Sequence, residues 1–221
     1  MVEISTSILN VKKEDIIKKI YNLEVAGTNY FHIDVMDGKF VKNNTLDLML
    51  TYSEYIKQIS NIPLDVHLMV EDVENFIKSY SILEPSIITF HLEACKSKEE
   101  IFKLIGDIKE CGSKVGISIK PNTDIEKVKE FLPYIHICLI MTVEPGEGGQ
   151  KLIPSTINKI QLLKKYIEKN NLETYIEADG GINLENIEIL KKSGVDIIVS
   201  GSAIVNAENE RDIILKMKEI D

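Results

Sequence analysis

The sequence predicts an α/β fold, a single (β/α)8 TIM barrel that takes up residues 1–221. Three observations lead there. Eight strand-like runs of β-branched and aliphatic residues alternate with stretches in which apolar residues recur three and four apart. Glycines end several of those stretches just ahead of the next strand, as Gly27, Gly112 and Gly194 do, which repeats a helix, glycine, strand phrase. Several strands are apolar nearly throughout, as in Asp196-Ile-Ile-Val-Ser200, and so suit parallel strands buried on both faces.

Strands are predicted over residues 2–9, 30–35, 64–68, 87–91, 114–119, 136–141, 175–178 and 196–200. Helices are predicted between them over 15–24, 51–59, 98–111, 124–131, 157–170 and 184–192. Ser97-Lys-Glu-Glu100 opens the third of these helices and Thr123-Asp-Ile-Glu126 the fourth, both with the capping-box pattern, and Asn183 stands ahead of the last. An open doubly wound sheet usually announces itself by a G-x-G-x-x-G turn after the first strand, and none stands there. At 221 residues the barrel is lean beside the typical ~250, which leaves little room for a second domain.

The chain is 44% hydrophobic, enough for one sizeable core, with a formal net charge of -9. That charge opposes binding to nucleic acid or to an anionic membrane, while a local pocket of backbone amides and a metal can still take a small anion. The first residues lack the basic start and apolar run of a secretion signal, and no stretch approaches the ~20 apolar residues of a membrane span, so a cytoplasmic protein is expected. Cys95, Cys111 and Cys138 are widely spaced and form no C-x-x-C pair, which reads as three small buried apolar residues.

The chemistry gathers at predicted strand ends. On a strand side chains alternate faces, so His32, Asp34 and Met36 point one way, as do His67 and Met69. Asp179 ends the seventh strand, and His91 with Glu93 ends the fourth more weakly. In such barrels reactive groups lie at the C-terminal ends of the strands. Taken singly, His32 or His67 could be a core histidine bonded to a carbonyl, and Asp179 could cap the turn at Gly180 and Gly181. Together His32, Asp34, His67 and Asp179 make a metal site with two carboxylates available for proton transfer, because burying both without a cation would cost several kcal/mol. Mixed nitrogen and oxygen ligation suits one divalent ion, Zn, Fe, Mn or Co.

Glycine-bearing loops follow the last three strands: Glu144-Pro-Gly146-Glu147-Gly148-Gly149-Gln150, Asp179-Gly180-Gly181 and Ser200-Gly201-Ser202. Glycine lets backbone amides approach an anion closely, and the loops after strands seven and eight are the usual phosphate seat of this barrel, so a phosphate monoester is the expected ligand. Met36, Met69 and Met141, at or just past strand ends, are either core filler or an apolar lid that keeps water from the metal.

These segments resemble the ribulose-phosphate 3-epimerase family through Ser7-Ile-Leu-Asn10, His32-Ile-Asp-Val-Met-Asp-Gly38, His67-Leu-Met69, Phe90-His-Leu-Glu-Ala94, Met141-Thr-Val-Glu-Pro-Gly146, Gly148-Gly-Gln-Lys151, Asp179-Gly-Gly-Ile182 and Gly201-Ser-Ala-Ile204. The resemblance implies a TIM barrel of the ribulose-phosphate-binding type, commonly a homo-oligomer, that interconverts D-ribulose 5-phosphate and D-xylulose 5-phosphate. It further implies that Asp34 accepts the proton and Asp179 donates it, that Ser7 and His67 touch the sugar, and that Gly146, Glu147, Gly148, Gly149, Gly180, Gly181, Gly201 and Ser202 hold the rest of a small phosphorylated ketose. Glu147 stands where the family usually has an aromatic residue and Asn122 where it usually has glycine. The chemistry agrees: inverting a carbinol carbon beside a ketone removes a proton from one face and returns one to the other, through an enediolate whose charge needs a Lewis acid.

Three rivals differ in what they require. A 3-epimerase of a hexulose phosphate such as D-allulose 6-phosphate would use the same metal and proton chemistry. A phosphate-binding barrel that decarboxylates typically resembles D-x-K-x-x-D after strand three, where this chain reads Asp65-Val-His67-Leu-Met-Val70 without the lysine. A non-catalytic phosphate-binding barrel has no need of carboxylates on opposite faces.

Overall fold

Eight strands form the barrel: β1 (Glu3–Ser7), β2 (Tyr30–Met36), β3 (Leu64–Met69), β4 (Ile87–His91), β5 (Lys114–Ile119), β6 (Ile137–Met141), β7 (Tyr175–Asp179) and β8 (Ile197–Ser200). Each pairs in parallel with its sequence neighbour, and β8 closes on β1. This is a computed structural model that describes residues 2–219; Met1, Ile220 and Asp221, the ends of the predicted domain, lie outside the described residues. Around the barrel run α1 (Ile16–Ala26), α2 (Leu46–Ile59), α3 (Val73–Ser81), α4 (Lys98–Glu110), α5 (Ser155–Lys169), α6 (Ile187–Ser193), α7 (Ser202–Val205) and α8 (Glu210–Glu219).

All eight predicted strands form, and α1 and α6 end at left-handed glycines, Gly27 at φ 86° and Gly194 at φ 98°. Half of the capping box at Ser97 is made: its hydroxyl accepts from the Glu100 amide, while the Glu100 carboxylate accepts from the amide of Lys96, one residue before the box would have it. The helix predicted over 124–131 is instead two 3-10 turns, Ile125–Lys127 and Leu132–Tyr134. Two physical causes oppose a continuous helix. Pro133 has no amide hydrogen to give a helix interior, and Thr123 spends its hydroxyl on the Glu93 carboxylate while Asp124 takes the capping position. Helix α2 starts at Leu46, earlier than its apolar spacing indicates, because the Asn44 side chain accepts from the Leu46 amide and starts the turn there. Of the cysteines only Cys138 is buried; Cys95 and Cys111 are half-buried at the edge of the core, and all three are free.

The strands are buried on both faces, but the two faces differ in chemistry. One set of alternate residues, including Ile33, Val35, Val66, Leu68, Ile88, Phe90, Ile117, Ile140, Ile176 and Ile198, packs with Ile20, Leu23, Ile56, Ile108 and Leu163 of the helices into one continuous core. Burial of each such side chain contributes about 1.5–3 kcal/mol before entropy is counted. The other set fills the barrel and is largely polar: Ser5, Ser7, His32, Asp34, Asp65, His67, Thr89, His91, Ser118 and Glu177 are all buried. Tyr30, Ile87, Ile137 and Ile197, from the alternate strands β2, β4, β6 and β8, plug the N-terminal end in one layer. Apolar packing outside and below holds the polar interior in place.

The interior leaves no spare volume beside Thr89. A Cβ added at Gly116 of β5 would lie 2.0 Å from Thr89 Oγ1 and 3.1 Å from the Thr89 Cα, so backbone would have to move. Gly116→Ala is expected to destabilise the protein by about 1–3 kcal/mol in chemical denaturation. Gly106→Ala, inside α4 where an added Cβ meets nothing within 4 Å, is expected to stabilise it by about 0.5–1 kcal/mol.

Candidate metal centre and active site

The register of the barrel brings the predicted residues to one point at its C-terminal mouth. On the paired strands β2 and β3, His32 stands beside Asp65 and Asp34 beside His67, so imidazole and carboxylate alternate between the strands. Asp179 ends β7 next to Met141 of β6. One ligand atom from each of His32, Asp34, His67 and Asp179 lies within 4.8 Å of the others.

The separations within this group suit a shared cation better than direct bonds. His32 Nε2 is 3.5 Å from Asp34 Oδ1 and 3.9 Å from Asp179 Oδ2, while His67 Nδ1 is 3.7 Å from Asp34 Oδ1 and 3.5 Å from Asp179 Oδ2. Atoms bound to one ion at about 2.0–2.2 Å stand roughly 3–3.6 Å apart. Both rings are fully buried, and His32 Nε2 and His67 Nδ1 have no hydrogen-bond partner among the described residues. A buried polar atom without a partner costs about 1–3 kcal/mol. These two nitrogens and two carboxylates are therefore a donor set that fits a divalent ion.

Electrostatics point the same way. Burial works to raise the Asp34 carboxyl, but His32 and His67 outweigh it and hold Asp34 well below the usual carboxylate range. Burial works to lower both imidazoles, and their carboxylate neighbours, Asp65 and Asp34 for His32, Asp179 and Asp34 for His67, carry them above the usual histidine range. The carboxylates facing the two rings thus favour positive charge in the space between them.

Each ring is held from behind. His32 Nδ1 lies 2.6 Å from Asp65 Oδ2, which also accepts from the Ser5 hydroxyl at 2.7 Å. Glu177 stands by the same carboxylate, and burial, reinforced by the Asp65 charge, pushes its carboxyl well above the usual range. That direction favours the neutral acid at Glu177 and so eases the repulsion between two buried carboxyl groups that stand side by side. His67 Nε2 lies 2.9 Å from His91 Nε2, and His91 Nδ1 lies 3.2 Å from Glu93 Oε2.

Above the two rings opens a cleft lined by Ser7, Asp34, Met36, Met69, Met141, Gly146, Glu147, Gly148, Gly149, Asp179, Gly180, Gly181, Gly201 and Ser202. The structure thus gathers every residue read as a candidate for substrate, metal or lid, with His32 and His67 under the floor. Ser7 donates to Asp34 Oδ2 at 2.7 Å. Met36 and Met69 pack with Val41, Leu9 and Phe40 on one side, and Met141 with Leu139 and Val143 on the other. Gly180 and Gly181 need to be glycine: their φ angles are +121° and +68°, and added Cβ atoms would lie 2.3 Å from Val143 and 2.4 Å from the Leu152 amide nitrogen. Glu147 is exposed at the rim. The Asn43 side chain donates to the Gly146 carbonyl at 2.7 Å, tying the loop after β2 to the loop after β6.

Sequence reasoning placed the four central residues and left their supports without a role. Asp65 and Glu177 lie two positions before His67 and Asp179, a spacing that puts them on the same strand face one layer deeper. Alternation of polar with apolar residues along β3 and β7 was the signal available for them.

Comparison with known proteins identifies the family. The sequence profile described as the ribulose-phosphate 3 epimerase family matches residues 3–205. The chain is 36% identical over 219 residues to the ribulose-phosphate 3-epimerase of Methanocaldococcus jannaschii, covering 99% of this chain and 91% of that protein. It is 33% identical over 219 residues to the ribulose-phosphate 3-epimerase of Bacillus subtilis, covering 99% of each. Among solved structures, the 3-hexulose-6-phosphate synthase of Salmonella typhimurium superposes with a TM-score of 0.71 at 14% identity, covering 99% of this chain and 98% of that one, a likeness of fold alone. The barrel, the ligand cluster at its mouth and the match along nearly its whole length place the chain in the ribulose-phosphate 3-epimerase family.

Proposed function

We propose that the chain is a ribulose-phosphate 3-epimerase, an isomerase that interconverts D-ribulose 5-phosphate and D-xylulose 5-phosphate with one divalent ion held by His32, Asp34, His67 and Asp179. The observation that carries this reading is the convergence of two unpartnered, buried imidazole nitrogens on two carboxylates from opposite parts of the barrel. The ion, when bound, supplies a Lewis acid for the negative charge that builds on substrate oxygens as the proton beside the ketone leaves.

The chain's own groups do the rest. Asp34, on β2, accepts the proton at C3, and Asp179, on β7, returns one to the opposite face. The Ser7 hydroxyl occupies Asp34 Oδ2 and so fixes the plane of that carboxylate while Oδ1 faces the imidazoles. Ser7 borders the sugar and Gly146, Glu147, Gly148 and Gly149 edge its path, whereas His67, also expected to touch the sugar, is fully buried and absent from the cleft wall, and so serves the reaction as an ion ligand. Gly180, Gly181, Gly201 and Ser202 hold the phosphate, which is supported by their place on one wall of the cleft after β7 and β8. Met36, Met69 and Met141 exclude water over the reacting carbon, which is supported by their position in the cleft wall. No helix among the described residues is long and apolar enough to cross a membrane. Residues 1–221 as one barrel domain, a cytoplasmic location and a homo-oligomer belong to the same reading; exposed Ile17, Tyr21 and Val25, spaced four apart on α1, offer apolar surface for subunit contact.

Purified protein is expected to carry one equivalent of a divalent metal, Zn, Fe, Mn or Co, by elemental analysis, and to lose turnover on chelation and regain it when the ion is restored. Asp34→Asn and Asp179→Asn are each expected to lower turnover by about 10²–10⁴-fold while the fold is kept. Deuterium incorporation at C3 from solvent is the direct readout, and wild-type exchange in both variants would refute the roles assigned to these carboxylates. Turnover on D-ribulose 5-phosphate should exceed that on D-allulose 6-phosphate when both are offered to the same preparation.

A further inference from the structure

Behind the metal-facing ring of His67 stands a second imidazole that the proposed reaction does not use. His91, at the end of β4, is fully buried, and its ring lies nearly parallel to that of His67, with centroids 5.0 Å apart and planes inclined by 27°. Phe40, from the loop after β2, covers it at a centroid distance of 4.9 Å. The two Nε2 atoms are 2.9 Å apart, so they share a single hydrogen, one ring donating and the other accepting.

Which ring donates follows from the far end of the chain of contacts. His91 Nδ1 lies 3.2 Å from Glu93 Oε2. Glu93 Oε1 accepts from the Lys120 amide at 2.8 Å and from the Thr123 hydroxyl, contacts that suit an ionised carboxylate. Facing an acceptor, His91 Nδ1 bears a hydrogen, and a neutral ring then leaves His91 Nε2 bare. His67 must therefore donate from Nε2. Its other nitrogen, Nδ1, is the one that faces Asp34 and Asp179 without a hydrogen-bond partner.

We propose that His91 and Glu93 are positioning residues for the metal centre: by accepting a hydrogen from His67 Nε2, the Glu93–His91 pair fixes the His67 ring with its Nδ1 lone pair aimed at the ion. The inference rests on the reading that His67 is a ligand. It gives the segment Phe90-His91-Leu-Glu93 a task one layer behind the ligands. Thr123 acts here as the outermost support, holding Glu93 from the loop after β5. Carboxylate or carbonyl partners of this kind commonly set metal affinity by one to two decades.

The test measures Zn(II) affinity of metal-stripped protein by competition with a chromophoric chelator, alongside the visible spectrum of the Co(II) form and the melting temperature without metal. His91→Phe keeps the ring packing under Phe40 and removes the acceptor; its affinity is expected to fall about 10–100-fold, with a changed Co(II) spectrum. His91→Gln can place an amide oxygen near the lost Nε2 and is expected to restore affinity to within about threefold of wild type. Ser118→Ala, at the position paired with His91 in the sheet, controls for disturbance of the interior and is expected to leave affinity unchanged. Should His91→Phe fail to fold, Glu93→Gln, which leaves both rings in place, is expected to weaken Zn(II) binding by about 3–10-fold.

Wild-type affinity in His91→Phe, or in Glu93→Gln where that variant is the one measured, overturns the proposal. So does an equal loss in His91→Gln, which would mark His91 as packing only. A wild-type protein that binds no divalent ion removes the metal reading itself, and with it this inference; binding by the wild type that is indifferent to these substitutions removes the inference alone.

Discussion

Two carboxylates gathered at the mouth of a closed barrel are the constraint to which the rest of the structure answers. Asp34 and Asp179 face the same small space as His32 and His67, whose nearer nitrogens have no hydrogen-bond partner among the described residues. Two negative groups in a site of low dielectric are costly unless a positive charge lies between them. The arrangement is therefore incomplete as protein alone, in a way that a divalent cation completes. The acid-base roles proposed for these two carboxylates ask for such a place, close to a cation and open to substrate on one side only.

The barrel meets that demand by dividing its strand residues between two solvents. Residues such as Ile33, Val35, Val66 and Leu68 point to the helices and supply the apolar burial on which stability depends, while His32, Asp34, Asp65 and His67 on the same strands point inward. The period of two lets one strand serve both purposes without compromise. Below the polar layers, Tyr30, Ile87, Ile137 and Ile197 seal the barrel from water. The candidate site thus sits in a barrel closed from below by buried apolar side chains, a surrounding of low dielectric in which electrostatic interactions are strengthened.

Support for the centre descends in steps. His32 is backed by Asp65, itself held by the Ser5 hydroxyl, and His67 is backed by His91 and Glu93. In both cases the ring nitrogen away from the space shared with Asp34 and Asp179 is engaged, and the one toward it has no hydrogen-bond partner among the described residues. Loops add a second kind of support: Asn43 ties the loop after β2 to Gly146, and the Thr142 hydroxyl donates to the Gly180 carbonyl at 2.6 Å, joining the loops after β6 and β7. The walls of the cleft are thus cross-linked around a centre that is itself fixed from beneath.

The amino-acid sequence alone determined the strand count, the barrel and the four residues at its mouth, because alternation along a strand and the placement of reactive groups at strand ends are local rules that need no coordinates. It misjudged the segment 124–131, where Thr123 and Glu126 have the spacing of a helix start but Thr123 is claimed by Glu93, thirty positions earlier in the chain. It also left Asp65, Glu177 and His91 without a role. Their partners come from other strands, and only the closed sheet, with its particular register, sets His32 beside Asp65 and His67 against His91. Hydrogen bonds between elements distant in sequence depend on how strands are staggered around the barrel, a quantity fixed by the packing of the whole fold.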